Sequence, residues 1–423
     1  MADNNLDGNV SQIVLKKFVK GFDSNRVLSK TVNRQLIKSE IDMNTGDSVS
    51  LKRPHQFSTI DTPDGNITGK KKNNLISGTV QAKVDSYITV AVAWTQVEQA
   101  LKLNQLDKIL NPIAATMATT LETRLANYMI RNGALSLGTP GQSIEKWEDV
   151  ARVGSLLTDL GVTGTNYAVI NPWAAQNLAG AQIALTNNNL TQTAWEKAQI
   201  PRNFGGVQAI TSNGLVARTQ GMFGGALTVK TTPVVDYESV KDSYQFSVVL
   251  TGANASIDGF LKAGDQLIFD GISWVNQQTK QPLVGTEGGE IDFTATVLKD
   301  ANSDANGDVT VTLSGVPIVD SDNPQYNTVN KAIASGDSVE VRGVAGQIVK
   351  PSLFYNEEFV GMGSIVLPKL HSIDSSVISY DGLSIRVHKY ADGDAAAQYM
   401  RFDMLPTFAC FNPHKGGPLF GQM

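Results

Sequence analysis

The apolar positions fall into three textures along the chain. Residues 1–35 show little sustained pattern beyond one short helical stretch over 11–18. They read as a mobile, mildly basic arm, with Lys16, Lys17, Lys20, Arg26, Lys30 and Arg34 set against three aspartates. From 44 to 93 the period is two. Val49 and Leu51 alternate on the way out; Val80, Ala82 and Val84, then Ile88, Val90 and Val92, alternate on the way back. That is the mark of half-buried strands. Between them, PHQFSTIDTPDGNITGKKKNNLIS carries turn signals and a triple lysine, which place it in solvent. A connection this long inside a compact domain is more often functional than decorative.

The period then changes to that of a helix. One helix is expected over 95–110. Asn111-Pro112 reads as the cap and first position of the next, along which Ile113, Met117, Leu121, Leu125 and Met129 recur until Gly133. Ser143 is expected to cap a helix through Trp147, Val150, Val153 and Leu157 that Gly161 closes. Asn171-Pro172 repeats the cap logic, and a short helix is expected around Trp195. From Phe223 to Gly346 no helix is expected. Short alternating runs (SYQFSVVL, DQLIF, IDFTATVL, DVTVTLSG, DSVEVRG) are separated by Gly, Asp, Asn and Pro, the signature of a small antiparallel barrel or sandwich. Two pieces echo each other there, AGDQLIFDG and SGDSVEVRG, as one local device used twice. Strands return at LSIRVHKY and RFDMLPTFACF. The fold class is α+β, with an inserted all-β, barrel-like domain.

Charge sharpens that division. The 423 residues carry a net charge of −5. Residues 223–346 hold seven Lys or Arg against sixteen Asp or Glu, so the remainder is mildly basic at +4. The chain is long enough for two or three domains. Its single cysteine, Cys410, sits in the apolar run Phe408–Phe411, so no intramolecular disulfide can form, and a small buried side chain is favoured over a catalytic thiol. The N-terminus lacks a secretory apolar region and no run is long enough to span a membrane, so a soluble protein made in the cytoplasm is expected.

The candidate chemistry is thin. DANSDANGD at 300–308 places Asp300, Asn302, Asp304, Asn306 and Asp308 at alternate positions, as a calcium loop would. Neither frame completes an EF-hand. Starting at Asn302, position 12 is Leu313; starting at Asp300, position 6 is Ala305 and position 12 is Val311. The flanks are strands, and Asn-Gly is what a hairpin turn needs. A plain hairpin is favoured, with the five residues kept as a weak metal candidate. GNITGKK at 65–71 has its glycines too close for a phosphate loop and a lysine where Ser or Thr should hold magnesium. The histidines at 55, 371, 388 and 414 lack ligand spacing. In LSIRVH, Leu383, Ile385 and Val387 face one way, and Arg386 and His388 share the polar face. No nucleophile elbow or spaced carboxylate pair is present. Nothing argues for an enzyme, and no cofactor or catalytic residue is expected.

The order of parts, and the segments NVSQIVLKKF, GDSVSLKRPHQFS, KNNLISG, ITVAV, NGALSLG, TAWEKAQIP, VKDSYQF, GFLKAGDQ, LPKLHSIDS, IRVHKYADGD and CFNPHKGG, resemble the major capsid proteins of tailed bacteriophages with the HK-ninety-seven-type fold. In particular they resemble the coat proteins of lambdoid short-tailed phages, which carry an extra inserted domain. The resemblance implies an N-terminal arm (1–35), an extended loop reaching over a neighbouring subunit (36–93), and a peripheral domain with a spine helix (94–135). It further implies an axial domain (136–222), the insert (223–346) on the outer surface, aiding subunit folding and contacts across capsomers, and the remainder of the axial domain with a return to the peripheral one (347–423). Arg53, Lys70, Lys71 and Lys72 become candidate contacts with a neighbouring subunit, and Lys16, Lys17 and Lys20 candidate contacts with the inner face or a scaffold. The implied partners are other copies of the chain as pentamers and hexamers, a scaffolding protein, a portal protein, and packaged double-stranded DNA bound without sequence preference; no membrane is implied. The location would be the virion capsid, assembled in the bacterial cytoplasm. Some such shells are welded by lysine–asparagine isopeptide bonds. Lys70–Lys72 lie beside Asn73 and Asn74, but no required acid can be named, so cross-linking is not expected. The competing reading is a monomeric, β-rich binding protein whose acidic insert holds a ligand or calcium.

Overall fold

A computed structural model describes residues 6–34, 48–53, 55–60, 62–70, 72–93, 106–183, 203–285, 288–368, 375–392 and 397–422. The expected helices over 95–110 and around Trp195 lie largely or wholly outside these residues. The chain divides into two compact units: residues 1–50, 81–126 and 360–409 form the first, and 51–80, 127–359 and 410–423 the second.

The first unit is built on an antiparallel sheet of order β17-β18-β19-β3, from β3 (Ile88–Ala93), β17 (Ser375–Tyr380), β18 (Leu383–Asp392) and β19 (Ala397–Met404). A tight turn through Asp381 and Gly382, both at positive φ, joins β17 to β18. Leu383, Ile385 and Val387 are buried along one face of β18. Arg386 and His388 lie on the other face as expected, but they are buried rather than solvated. Arg386, directly opposite Asp403 in the register, donates to its carboxylate at 2.8 Å, and Arg401, two residues back on β19, donates to it at 2.6 Å. Burial pushes the Asp403 carboxyl upward, but hydrogen bonds from Arg386, Thr89 and Arg401 outweigh it and hold the group below the usual carboxylate range.

The N-terminal segment departs from expectation. Instead of a mobile arm with one short helix, residues Leu6–Asn25 form a 20-residue helix, α1. Val14, Leu15, Phe18, Val19 and Phe22 are buried along one stripe, and the Phe18 ring stacks on Phe402 at 4.6 Å. That stripe has the i, i+3, i+4 spacing of an amphipathic helix, and burial of its aromatic pair fixes the segment.

The long helix α2 (Leu106–Asn132) begins before the proposed Asn111 cap and runs through Pro112. Its buried stripe already includes Leu110, one turn ahead of Ala114 and Met117. Burial of that turn outweighs the hydrogen bond that Pro112 cannot make. Residues 106–126 belong to the first unit and 127–132 to the second. Mostly within the first unit, β2 (Thr79–Val84) pairs with β20 (Pro406–Cys410), in a sheet of order β1-β2-β20-β16 that adds β1 (Ser48–Lys52) and β16 (Val360–Ser364). The expected return strand is therefore two strands, broken at 85–87.

The second unit holds a five-stranded sheet of order β21-β15-β4-β6-β5, from β4 (Asn166–Ile170), β5 (Asn203–Phe204), β6 (Val207–Thr211), β15 (Ser352–Asn356) and β21 (Gly416–Leu419). Helix α3 (Trp147–Asp159) packs through Val150, Val153 and Leu157. Its Gly154 meets the Gly205 carbonyl so closely that an added Cβ would lie 1.9 Å from the oxygen. Ser143 does not cap this helix; its hydroxyl instead accepts from Asn177 at 3.0 Å. In α4 (Pro172–Ile183) the Asn171 side chain does cap, accepting from the Ala174 N–H at 3.0 Å.

A closed six-stranded barrel of order β10-β11-β12-β9-β8-β13 is the largest element of this unit. It comprises β8 (Gly225–Val229), β9 (Gln245–Ala253), β10 (Gln266–Ser273), β11 (Asp292–Val297), β12 (Val309–Ser314) and β13 (Ser338–Val341). Period-two alternation sends Phe246, Val248, Leu250, Leu267, Phe269, Phe293, Val309, Val311 and Leu313 inward, where all are buried. The echoing segments are neighbours in it: β10 and β13 pair with Leu267 opposite Val341 and Phe269 opposite Val339. A one-turn helix, α5 (Tyr237–Val240), interrupts a region where none was expected; Asp236 caps it by accepting from the Ser239 N–H at 2.7 Å. Outside the barrel, β7 (Arg218–Thr219) and β14 (Ile348–Val349) form a two-stranded ribbon.

Candidate assembly surfaces

Among its described residues, the excursion between Arg53 and Gly78 buries no apolar side chain between those two ends. Residues 62–70 and Lys72 are exposed, apart from a part-covered Thr62 and the undescribed Lys71. Short local turns shape its tip. Asp64 accepts from the Asn66 N–H and Asn66 from the Thr68 N–H, both at 3.0 Å, while Gly65 and Gly69 take left-handed φ values. Among the described residues no helix opens directly after this tip. Farther down, Asn73 ties the two sides together: it accepts from the Ser58 N–H at 3.0 Å and its amide donates to the Ser58 carbonyl at 2.8 Å.

At its root the excursion is anchored to the barrel side of the second unit. The Gln325 amide donates to the Asn74 carbonyl at 3.1 Å, and Thr79 donates to Asp242 through both N–H and hydroxyl at 2.8 Å. The hydrogen bond from Lys241, with those from Thr79, holds the Asp242 carboxyl down at about 2. Arg53, expected to reach a neighbouring subunit, is instead 4% exposed within its own. Its Nε donates to the Lys241 carbonyl at 2.8 Å, its Nη1 to the Phe411 carbonyl, and its guanidinium lies 3.9 Å from the Tyr244 ring centroid. A cation that has found two carbonyls and an aromatic face inside the subunit is not free for an outside partner.

Beneath that anchor lies His414. Its Nε2 accepts from the Val316 N–H at 3.0 Å, and the ring meets Trp274 edge-on at 5.1 Å. Burial, reinforced by the Arg53 and Lys280 charges, pushes it down to about 3. Cys410 donates weakly to the Asn132 carbonyl at 3.9 Å, and desolvation pushes its thiol up to about 12. A thiol this far from its thiolate is a packing group rather than a nucleophile.

On α1, Lys16 and Lys20 are exposed, whereas Lys17 pairs with Asp107 at 3.3 Å. Glu122 was not singled out from sequence, yet its carboxylate gathers the segment after α1, accepting from the Leu28 N–H at 2.6 Å, the Ser29 N–H at 2.9 Å and the Ser29 hydroxyl at 2.5 Å. The signal was present in the helical register: Glu122 stands between Ala118 and Ala126, one turn each way on the buried face. Arg26 and Arg34 both pair with Asp381 at the β17–β18 turn.

At 300–308 the polar oxygens are aimed at backbone N–H groups. Asp300 accepts from Ala263 at 2.8 Å, Asn302 from Gly259 at 2.7 Å, and Asp304 from Asn306 and Asp308 at 2.8 Å each. Asp308 pairs with Lys230. Gly307 supplies the left-handed residue at φ +76°. Among the described residues no three His, Cys, Asp or Glu side chains converge as metal ligands, and no helix is long and apolar enough to cross a membrane.

Comparison with known proteins joins these surfaces to a biology. The chain is 60% identical over 421 residues to the major capsid protein of Acyrthosiphon pisum secondary endosymbiont phage 1, covering 99% of each. Solved structures with a related outline include one from Mycobacterium phage Che8 (11% identity, 93% of this chain and 90% of that one, TM-score 0.43). Another is the capsid of cyanophage P-SCSP1u (8% identity, 89% and 84%, TM-score 0.38). These likenesses are too weak to carry an argument of their own. The family model described as P22 coat protein, gene protein 5, matches residues 1–421. The chain belongs to the P22 coat protein family of phage major capsid proteins.

Proposed function

We propose that this chain tiles an icosahedral shell as pentamers and hexamers, in the HK-ninety-seven-type arrangement, and that the shell encloses packaged double-stranded DNA. The observation that carries the reading is the match to phage coat proteins along essentially the whole chain, which gives no support to a monomeric binding protein. Within it, residues 36–93 serve as the extended loop, 94–135 as the peripheral domain, and 136–222 with 347–423 as the axial domain and the return to the peripheral one. Residues 223–346 form the insert. Each subunit contact can be weak, because several contacts per subunit sum to cooperative closure.

The exposed lysines fit this role. Lys70 and Lys72 stand on the coreless tip of the excursion, and Lys71 belongs to the same run. They would meet acidic surface on a neighbouring subunit. Lys16 and Lys20 would face the scaffold or the packaged DNA, the latter through phosphate contacts that weaken steeply with salt. A scaffolding protein and a portal ring complete the expected set of partners, with assembly in the bacterial cytoplasm.

The test is negative-stain microscopy of the chain expressed alone and with its neighbouring phage genes. Closed shells, or rings of five and six, are the expected result. Compact monomers at high concentration, even with a scaffold present, would sink the proposal. Denaturing gels of the shells should show monomer bands; ladders above them would reveal a covalent weld at the Lys70–Asn74 stretch.

A further inference from the structure

The two-stranded ribbon β7–β14 lies outside the barrel and carries a concentration of exposed apolar side chains. Ile348, opposite Thr219 in the ribbon, is 72% exposed. Val344 and Met222, in the segments that approach it, are 62% and 57% exposed, and Val216, just ahead of β7, is 42% exposed. These segments are tied together: Gly346 donates to the Gly221 carbonyl at 2.9 Å, Gln220 to the Gln347 carbonyl at 2.9 Å, and a Cβ on Gly346 would touch the Met222 sulfur at 3.0 Å. Trp173, at 71% exposure, stands beside them at the start of α4. It shares with Ile348 the walls of a cleft of about 190 Å³. Asn171 caps that helix and also donates to the Lys350 carbonyl at 3.4 Å, so the indole is presented from a fixed element.

The patch is nearly free of charge. Across 213–225 and 343–350 the charged side chains are Arg218, which donates to the buried carboxylate of Asp265 at 3.0 Å, and the part-covered Lys350 at the rim of the cleft. One lysine and one carboxylate-paired arginine offer little to a phosphate backbone, whose binding is driven by clustered lysine and arginine. Depletion of charge with exposed Trp and Met is the composition of the centre of a protein–protein interface. Scaled by their exposures, the five side chains leave on the order of 500 Å² of apolar surface in water, near the top of the ~300–600 Å² typical of the largest patch on a monomer. A standard interface takes about 800 Å² from each partner. The ribbon therefore supplies the core of a contact, completed by a polar rim.

We propose that the β7–β14 ribbon and Trp173 form a subunit–subunit interface whose occupant is a second copy of this chain. This rests on the shell-forming reading above and names a surface that carries it. The neighbour's apolar side chain enters the cleft between Trp173 and Ile348. In a ring of five or six the contact is heterologous, so the neighbour meets this patch with a different surface of its own.

The experiment is hydroxyl-radical footprinting of Trp173, read by mass spectrometry, on free subunits and on wild-type shells. It is paired with shell yield for Trp173→Ser and Ile348→Ser. Trp173 should be protected at least about fivefold in shells. Each variant should keep the subunit melting temperature while shell yield falls about tenfold or more, as for a centrally placed interface residue, and Ile348→Met should restore it. Wild-type shells in which Trp173 reacts as fast as in the subunit, or serine variants that assemble normally, would overturn the ribbon contact while leaving the coat-protein reading intact. A wild-type chain that forms no shell under any assembly condition would overturn both.

Discussion

The barrel and the excursion rooted beside it are held by opposite means. The barrel closes its own hydrogen-bonding edges and fills its interior with large side chains that are almost wholly buried, among them Phe246, Phe269 and Phe293. Each such side chain contributes about 1.5–3 kcal/mol through burial. The excursion from Arg53 to Gly78 buries almost nothing along its length and depends on a few polar ties at its root and waist: Arg53, Thr79, Asn74 and the Ser58–Asn73 clasp. One region is specified by many small interchangeable contributions, the other by a handful of particular ones. A shell subunit has use for both, a body that does not deform and a limb whose direction depends on its root.

The largest test strikes the core just past the end of β10. Trp274 is fully buried, with its ring 4.7 Å from Phe293 and 5.1 Å from His414. Trp274→Ala should cost about 3–5 kcal/mol, measured as a lowered midpoint of denaturant unfolding. If the loss were below 1 kcal/mol, the barrel would not be the rigid member of the pair.

Next comes acid. The folded His414 titrates at about 3, against about 6.5 when unfolded. Its contribution to stability is therefore complete above pH 6.5. It is lost as the pH falls, because the unfolded chain takes up a proton that the folded one refuses. At about 1.4 kcal/mol per unit, this one group removes on the order of 2–3 kcal/mol near pH 4.5. His414→Gln keeps an acceptor for the Val316 N–H and should flatten the slope between pH 6.5 and 4.5. An unchanged slope would assign the acid sensitivity elsewhere.

Arg53 tests the root of the excursion. Arg53→Met keeps the length of the side chain but strands the Lys241 and Phe411 carbonyls, at a cost of about 2 kcal/mol. Proteolysis confined to 55–75 should quicken more than the global midpoint drops. Equal effects on both would mean that Arg53 supports the barrel rather than aiming the limb.

The same contrast explains what could be read from sequence. Barrel strands announce themselves by alternation, so SYQFSVVL and DVTVTLSG were visible before any coordinates. β8 was missed because Gly-Ala-Leu-Thr-Val is short and starts with glycine, which weakens a strand pattern. Arg53 looked like a surface cation because its partners are carbonyls at 241 and 411, and main-chain atoms leave no mark on a sequence. The docked helix α1 was underestimated for a related reason. Its stripe is legible, but the partner ring, Phe402, lies far along the chain. Of the proposed contact residues, the exposure of Lys16, Lys20, Lys70 and Lys72 follows from charge alone. The β7–β14 patch did not stand out, because single apolar residues at 216, 222, 344 and 348 carry no period.

The smallest effect is expected at the hairpin tip on the barrel's own side of the comparison. DANSDANGD has the alternating oxygens of a calcium loop, but those oxygens already accept from the N–H groups of Ala263, Gly259, Asn306 and Asp308. To bind a cation they would have to release these bonds, each worth about 1.5–3 kcal/mol where the acceptor is charged. The turn also needs no ion to hold its shape, since Gly307 supplies the left-handed residue and Lys230 answers the charge of Asp308. Millimolar EDTA should therefore leave the melting temperature where it was, and added calcium should not raise it. A fall of several degrees on chelation would make the tip a metal site, and would mean that even the barrel, the self-sufficient half of the comparison, depends on one particular tie.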